Sequence, residues 1–210
     1  MIPILYHSPG ACSLAPHIVL EELGIPYRLE RIAIADGQHL GADYLAINPR
    51  GRVPVLRVDD GVFGENVAIL TYLALLKPES GLLPAPGTLA FGRTLEWAGW
   101  LASTLHIAFA HYWRPERFLP AGAESAAMTG FALASIETLF DEIEGALGEG
   151  WLVGDRYTIA DPYLLVFYRW GNRVGIPMAE RFPVWRKWVR RMFERPAVAR
   201  AVEAEGIADF

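Results

Sequence analysis

Residues 2–24 of the chain read IPILYHSPGACSLAPHIVLEELG. The apolar run at residues 2–6 is typical of a β-strand. Pro16 marks the start of a helix, because the first turn is where a missing N–H needs no partner. The apolar residues after Pro16 suit a helix that ends at Gly24. The stretch therefore predicts a strand, a short loop and a helix that begins within a few residues of Ser13.

Cys12 is the only cysteine among the 210 residues, and the pattern places it at the N-terminus of that helix. Free N–H groups and the helix dipole stabilise a thiolate there, so we expect a pKa below the free-thiol value. The alternative is that Cys12 is a small buried hydrophobic side chain. A single cysteine excludes an intramolecular disulfide framework and fits a reducing compartment, so we expect a cytoplasmic protein.

Strand and helix patterns alternate along the first 80 residues, and nearly everything after residue 88 has helical spacing. The order is βαβαββα, which is typical of an α/β domain. Three prolines and two glycines between residues 77 and 87 predict a linker. We therefore expect an α/β domain over residues 1–80 and an all-α helical bundle over residues 88–210. The predicted strands are 2–6, 27–34, 53–58 and one from 62, with a turn at Asp59-Asp60-Gly61; the predicted helices are 13–23, 43–47, 65–76, 88–112, 123–147, 159–174, 183–194 and one after Pro196.

Composition and charge argue against several classes of protein. The net charge of −5 argues against nucleic acid as a partner. The N-terminus lacks the pattern of a signal peptide, and no run of 18 uncharged apolar residues exists, so we expect no membrane span. His106 and His111 are five residues apart on a predicted helix and do not share a face, so we expect no metal site.

Two further motifs suggest a ligand site. Pro54 lies inside a strand pattern, which indicates either a cis Val53–Pro54 bond with a free Val53 backbone or a proline that blocks an edge strand. Glu65 and Asn66 stand between a strand and a helix, where backbone N–H groups hold anions and Glu65 is placed to accept from a ligand amine. The alternative for this pair is ordinary capping of a helix.

Taken together, the motifs resemble those of the cytosolic glutathione transferases, and Gly10-Ala11-Cys12-Ser13 resembles the bacterial beta class. The resemblance covers essentially the whole chain, with the motifs in family order. It departs from the family in the loop 35–40, which has no lysine, and at Gly99 and Ile107, so we expect fewer polar contacts to glutathione. The motifs are Tyr6, Pro9 to Ala15, Ile47 to Leu56, Asp59 to Gly61, Glu65 to Ile69, Leu105-His106 and Thr158 to Asp161.

The resemblance implies a thioredoxin-like N-terminal domain, a helical C-terminal domain and a homodimer that holds glutathione, as co-substrate and without another cofactor, between its domains. It implies Cys12, Tyr6, Ser13 and His106 as catalytic residues. From the residues alone, His106 reads as a satisfied core histidine. The glutathione-binding residues that it implies are Cys12, Arg52, Val53, Pro54, Glu65, Asn66, Ser103 and His106.

The predicted activity is conjugation of the glutathione thiolate to small apolar electrophiles, with detoxification as its role. One alternative is a glutathione-dependent thiol–disulfide oxidoreductase that uses Cys12. Another is a non-enzymatic member of the same fold, and isomerisation with glutathione also stays open. Thr158 to Asp161 is assigned to folding, as a variant of the capping box. The candidates for the electrophile pocket, which otherwise read as core, are Trp100, Phe109, Tyr112, Trp113 and Phe167.

Overall fold

The computed structural model describes residues 2–59, 61–208 and 210. Its first part is a four-stranded sheet of order β2-β1-β3-β4. Strand β1 runs parallel to β2 and antiparallel to β3, and β3 pairs antiparallel with β4. The predicted order of elements is confirmed, and this is a thioredoxin-like arrangement. The bounds are β1 Ile4–His7, α1 Leu14–Leu23, β2 Arg28–Arg31, α2 Ala42–Leu45, β3 Val55–Val58, β4 Gly61–Gly64 and α3 Asn66–Leu76; Asp60 of the predicted turn lies outside the described residues.

The two faces of the sheet separate two clusters of apolar side chains, because side chains alternate along a strand. Leu5 and Leu56 point to the face covered by α1 and α3, which contains the main core and Cys12. Tyr6 and Val55 point to the opposite face, where Tyr44 of α2 covers them. Neighbouring residues of β1 therefore belong to different layers of the domain.

The second part of the chain is helical. Helix α7 is its centre, because every residue from 160 to 171 is buried. The bounds are α4 Leu89–Trp100, α5 His106–Trp113, α6 Ala126–Ala146, α7 Ala160–Arg173, α8 Met178–Arg181, α9 Pro183–Phe193 and α10 Pro196–Glu205. None of the helices in the described part of the chain has the length and apolarity that crossing a bilayer requires.

The segment predicted as one long helix over residues 88–112 is helical throughout, but it is not a regular α-helix. A π-helical turn over Leu101–Leu105 separates α4 from α5. Gly99 precedes it, and the Ser103 hydroxyl donates to the Gly99 carbonyl at 2.9 Å, a side-chain bond of the kind that bends helices. Single π-helical turns often mark functional sites, and this one makes His106 the first residue of α5.

The two parts of the chain are packed closely together. Helix α1 contacts α3 of the first part and both α7 and α10 of the second. The predicted linker is also held, because the Ile159 N–H donates to the Leu82 carbonyl at 2.9 Å. The loop before α1 therefore lies where the first part meets the second.

Candidate active site

The loop that carries Cys12 is held by the helical part of the chain. The Gly10 N–H donates to Oε2 of Glu205 at 2.7 Å. The Gly10 carbonyl accepts from Nε1 of Trp170 at 2.9 Å and from Nη1 of Arg169 at 3.2 Å. Gly10 has a φ of 69°, and an added Cβ would lie 2.3 Å from that Arg169 nitrogen. Glycine is therefore required here both for its backbone conformation and for space.

Glu205 reaches this loop from the end of α10 as a fully buried carboxylate. Its Oε1 lies 2.9 Å from Nδ1 of His17 and 3.5 Å from Nδ1 of His7. Burial acts to raise the pKa of Glu205, but the hydrogen bonds from His17, His7 and Gly10 hold that pKa below its usual value. The carboxylate thus joins β1, α1, the Cys12 loop and α10.

Cys12 is 7% exposed, and its thiol donates to the Val53 carbonyl at an Sγ–O distance of 3.6 Å. Burial raises the pKa of Cys12 to about 12. The expectation of a lowered pKa is wrong for this chain without a ligand, because desolvation of a thiolate outweighs the stabilisation from the helix N-terminus. Cys12 is a protonated hydrogen-bond donor at neutral pH.

Iodoacetamide should therefore alkylate Cys12 slowly in the unliganded protein. The rate should keep rising with pH past about 8.5, the value at which an ordinary free thiol is half ionised. The measurement is the second-order alkylation rate across this pH range, with free cysteine as the control. A plateau below pH 8.5 would show that Cys12 is a thiolate and would contradict this assignment.

The Val53–Pro54 bond is cis. Strand β3 begins at Val55 and lies between β1 and β4, so Pro54 does not block an edge strand. Of the two interpretations of this proline, the cis bond is confirmed. Val53 precedes the paired part of β3, with its carbonyl facing the Cys12 thiol.

Glu65 and Asn66 stand at the start of α3 and do not cap it as the alternative predicted. Glu65 has a φ of 72°, rare for a residue other than glycine and typical of functional sites, and its side chain is exposed. Its side chain makes no capping hydrogen bond. Asn66 is buried, and its Nδ2 donates to the Cys12 carbonyl at 3.0 Å. The strand-to-helix turn is thereby connected to the Cys12 loop.

His106 reaches this region from α5. Its Nδ1 lies 3.2 Å from the hydroxyl of Tyr163, and its ring packs edge-on against Trp170, with centroids 5.1 Å apart. Burial, followed by the positive charge of Arg52, lowers the pKa of His106 to about 4. The imidazole is therefore neutral at physiological pH.

Tyr163 was missed by sequence reasoning. Its hydroxyl is the polar partner of His106, yet the residue lies in an almost uniformly apolar stretch that reads as core. One signal was available, since a buried tyrosine hydroxyl normally has a partner. The partner could not be identified from the sequence, because Tyr163 and His106 are 57 residues apart.

Tyr6 and Ser13 are engaged away from the Cys12 thiol. The Ser13 hydroxyl donates to the Ser8 carbonyl and accepts from the Ser8 N–H, both at 3.1 Å. Tyr6 lies on the α2 face of the sheet, with its ring centroid 6.0 Å from that of Tyr44. The Ser13 hydroxyl therefore stabilises the loop between β1 and α1. Tyr6 belongs to a different apolar cluster from Cys12.

Arg52 and Ser103 are both exposed. The charge of Arg52 acts on His106, which places it on the same side of the molecule. Ser103 lines a groove between α5 and α6. The structure therefore places Arg52 on the side of the candidate site, whereas Ser103 lies in the groove between α5 and α6.

The aromatic candidates for an electrophile pocket divide into two groups. Phe109 and Phe167 are 0% exposed and belong to the core, as the alternative for these side chains predicted. Trp113 is 37% exposed, and Trp100 and Tyr112 are partly exposed. Only these three of the candidates present a surface to a ligand.

Asp161 serves the fold, as predicted from its motif. It is fully buried and accepts from the N–H groups of Thr158 at 2.7 Å and of Leu152 at 2.9 Å. Burial raises its pKa to about 6. The motif fixes the start of α7, and with it the position of Tyr163.

The chain has a thioredoxin-like domain, with a cysteine at the start of its first helix and a cis-proline after the carbonyl that faces the cysteine thiol, and a helical domain packed against it. These features define a class of two-domain thioredoxin-fold proteins. The chain belongs to the glutathione S-transferase family. The model of the glutathione S-transferase N-terminal domain matches residues 10–76, and that of the C-terminal domain matches residues 102–196.

Three relatives illustrate the similarity. A glutathione S-transferase of Escherichia coli O157:H7 is 36% identical, over 97% of this chain and 98% of its own length. The crystal structure of a glutathione transferase homologue from Sulfitobacter with bound glutathione is 34% identical, with a TM-score of 0.91 over 99% of each chain. A bacterial beta-class enzyme from Sphingomonas chungbukensis is also 34% identical, with a TM-score of 0.86 over 98% of this chain and all of its own.

Proposed function

We propose that this protein is a cytoplasmic glutathione transferase that conjugates the glutathione thiolate to small apolar electrophiles in detoxification. One observation carries the proposal: Cys12 bridges the two predicted ligand-binding segments through its hydrogen bonds with Val53 and Asn66. Catalysis of this kind requires a stabilised thiolate and an electrophile held beside it. Family membership, together with a relative that contains glutathione, supports the same reading.

Glutathione would lie along the first domain, which we propose to span residues 1–80. The Val53 backbone precedes the paired strand and is placed to pair with the cysteinyl part of the tripeptide. The exposed Glu65 carboxylate accepts from the γ-glutamyl amine, and the first turn of α3 faces the γ-glutamyl carboxylate. Arg52 supplies positive charge on the side of His106.

The sulfur of glutathione would lie beside Cys12 and His106. Both groups can donate a hydrogen bond without losing the proton. The thiol of Cys12 stays protonated because its pKa is raised to about 12, and the imidazole of His106 is neutral with one N–H. Hydrogen bonds from both would favour the ionised form of the ligand thiol. The electrophile would meet that sulfur from the second domain, residues 88–210, near the partly exposed Trp100, Tyr112 and Trp113.

We also propose a homodimer. Four large apolar side chains of α3, α4 and α6 are strongly exposed in the single chain, which supports a covering partner. Their exposed fractions are Leu75 52%, Leu76 47%, Leu89 78% and Phe131 71%.

Titration calorimetry with glutathione tests the proposed function. Glu65→Ala should weaken binding by roughly tenfold or more, because a charge-assisted hydrogen bond to the ligand amine contributes about 1.5–3 kcal/mol. Glu79→Ala is the matched control, since Glu79 is an exposed glutamate of the same domain. Equal affinities for the wild type and Glu65→Ala would remove Glu65 from the site, and no binding to the wild type would refute the proposal.

A further inference from the structure

The direction of the hydrogen bond between His106 and Tyr163 depends on the tautomer of the imidazole, and the groups around Tyr163 favour one direction. A neutral imidazole has one donor nitrogen and one acceptor nitrogen, and a partner on one of them decides which carries the proton. Nδ1 of His106 faces the Tyr163 hydroxyl at 3.2 Å, and Tyr163 is only 1% exposed. The Tyr163 proton must therefore go to a partner within the protein.

Asn66 is the other polar group beside Tyr163. The Asn66 side chain acts on the Tyr163 phenol, and its Nδ2 donates to the Cys12 carbonyl at 3.0 Å. The amide oxygen of Asn66, Oδ1, is buried and accepts nothing within the described residues, so Tyr163 does not donate to it. The remaining acceptor for the Tyr163 proton is Nδ1 of His106.

We propose that Tyr163 is a positioning residue that holds His106 as the neutral tautomer with its proton on Nε2. The inference rests on the proposed function, because it gives the Nε2–H the task of donating to the glutathione sulfur. The rings of Trp170 and Phe167, with centroids 5.1 and 6.1 Å from that of His106, restrict the imidazole in the same orientation. Asn66 links this assembly to Cys12, whose carbonyl accepts from the same amide group at 3.0 Å.

Tyr163→Phe removes the hydroxyl and keeps the aromatic ring of residue 163. The imidazole of His106 should then no longer be restricted to one tautomer. Nitrogen-15 NMR of the histidine side chains should show the Nε2–H tautomer for His106 in the wild type and a mixture of tautomers in Tyr163→Phe. The pKa of His106 should rise in the variant, because the lost hydrogen bond favours the neutral form. A residue that only filled space would leave both signals unchanged.

Kinetics supply the second readout. With glutathione and chlorodinitrobenzene as substrates, Tyr163→Phe should lower kcat by about tenfold, with KM for glutathione unchanged. The loss should be smaller than the roughly 10²–10⁴-fold that a positioned proton donor contributes, because the variant keeps His106. In a His106→Ala background, the same substitution should have no further effect on kcat. Tyr168→Phe is the matched control, a buried tyrosine of the same helix packed against Trp185, and should keep wild-type kcat.

An unchanged His106 tautomer in Tyr163→Phe would overturn the proposal. So would an equal loss of kcat in Tyr168→Phe, or losses that add in the His106→Ala background. Failure of the proposed function is a separate result, because wild-type protein would then neither bind nor conjugate glutathione, while the NMR measurement would still report whether Tyr163 sets the tautomer.

Discussion

Glu205→Ala should lower the free energy of unfolding by about 3–5 kcal/mol, the range seen when one partner of a buried charged network is removed. The carboxylate is fully buried and contacts His17, His7 and the Gly10 N–H. Alanine leaves the His17 ring and the Gly10 N–H without their acceptor. Chemical denaturation monitored by circular dichroism measures the loss, which corresponds to roughly 10 °C or more in Tm for a chain of this size.

Glu203→Ala is the control for this experiment, because Glu203 is exposed on the same helix. Glutathione affinity should fall in Glu205→Ala and stay constant in Glu203→Ala, since Gly10 belongs to the loop that carries Cys12. A change below about 1 kcal/mol in Glu205→Ala, within the range of ordinary substitutions, would show that the buried carboxylate does not join the two parts of the chain.

The Glu205 carboxylate also makes the stability of the folded protein depend on pH. The folded pKa of Glu205 is below 4.5, its value outside the fold. Its contribution to stability is therefore complete above pH 4.5 and is lost as the pH falls through the folded pKa. Stability curves of the wild type and Glu205→Ala should converge as the pH falls below that folded value.

The fold was predictable from the sequence because its signals are local. Pro16 and Gly24 delimit α1, and apolar spacing of period two or 3.6 separates strands from helices. The predicted helix over residues 88–112 contains a π-helical turn, which changes the hydrogen-bond register without interrupting the apolar pattern. Periodicity does not detect such a change.

The candidate site was predictable only in part, because its chemistry depends on contacts between distant segments. Cys12 was found from its position, but its pKa follows from burial under side chains that the local sequence does not identify. Glu205 lies 195 residues from Gly10, and Tyr163 lies 57 residues from His106. The first pair joins the two parts of the fold, and the second joins two helices of the helical part, α5 and α7. Periodic patterns predict neither pair.

Cys12→Ala should separate transferase chemistry from disulfide chemistry. Reduction of a glutathione mixed disulfide through the protein should be lost completely, because the chain has no other cysteine to form the covalent intermediate. Conjugation should fall by no more than roughly fivefold, because the protonated thiol contributes a single hydrogen bond worth about 1 kcal/mol. The two rates are measured on the same preparation, with chlorodinitrobenzene and with a glutathione mixed disulfide.

Cys12→Ser sharpens this comparison, since serine keeps a hydrogen-bond donor at the same position but forms no disulfide. It should conjugate faster than Cys12→Ala and should remain inactive towards the mixed disulfide. The thiol of Cys12, donating to Val53 and with its pKa raised to about 12, is a poor nucleophile before glutathione binds. A complete loss of conjugation in both variants, with glutathione binding intact by calorimetry, would make Cys12 essential and would favour the disulfide oxidoreductase over the transferase.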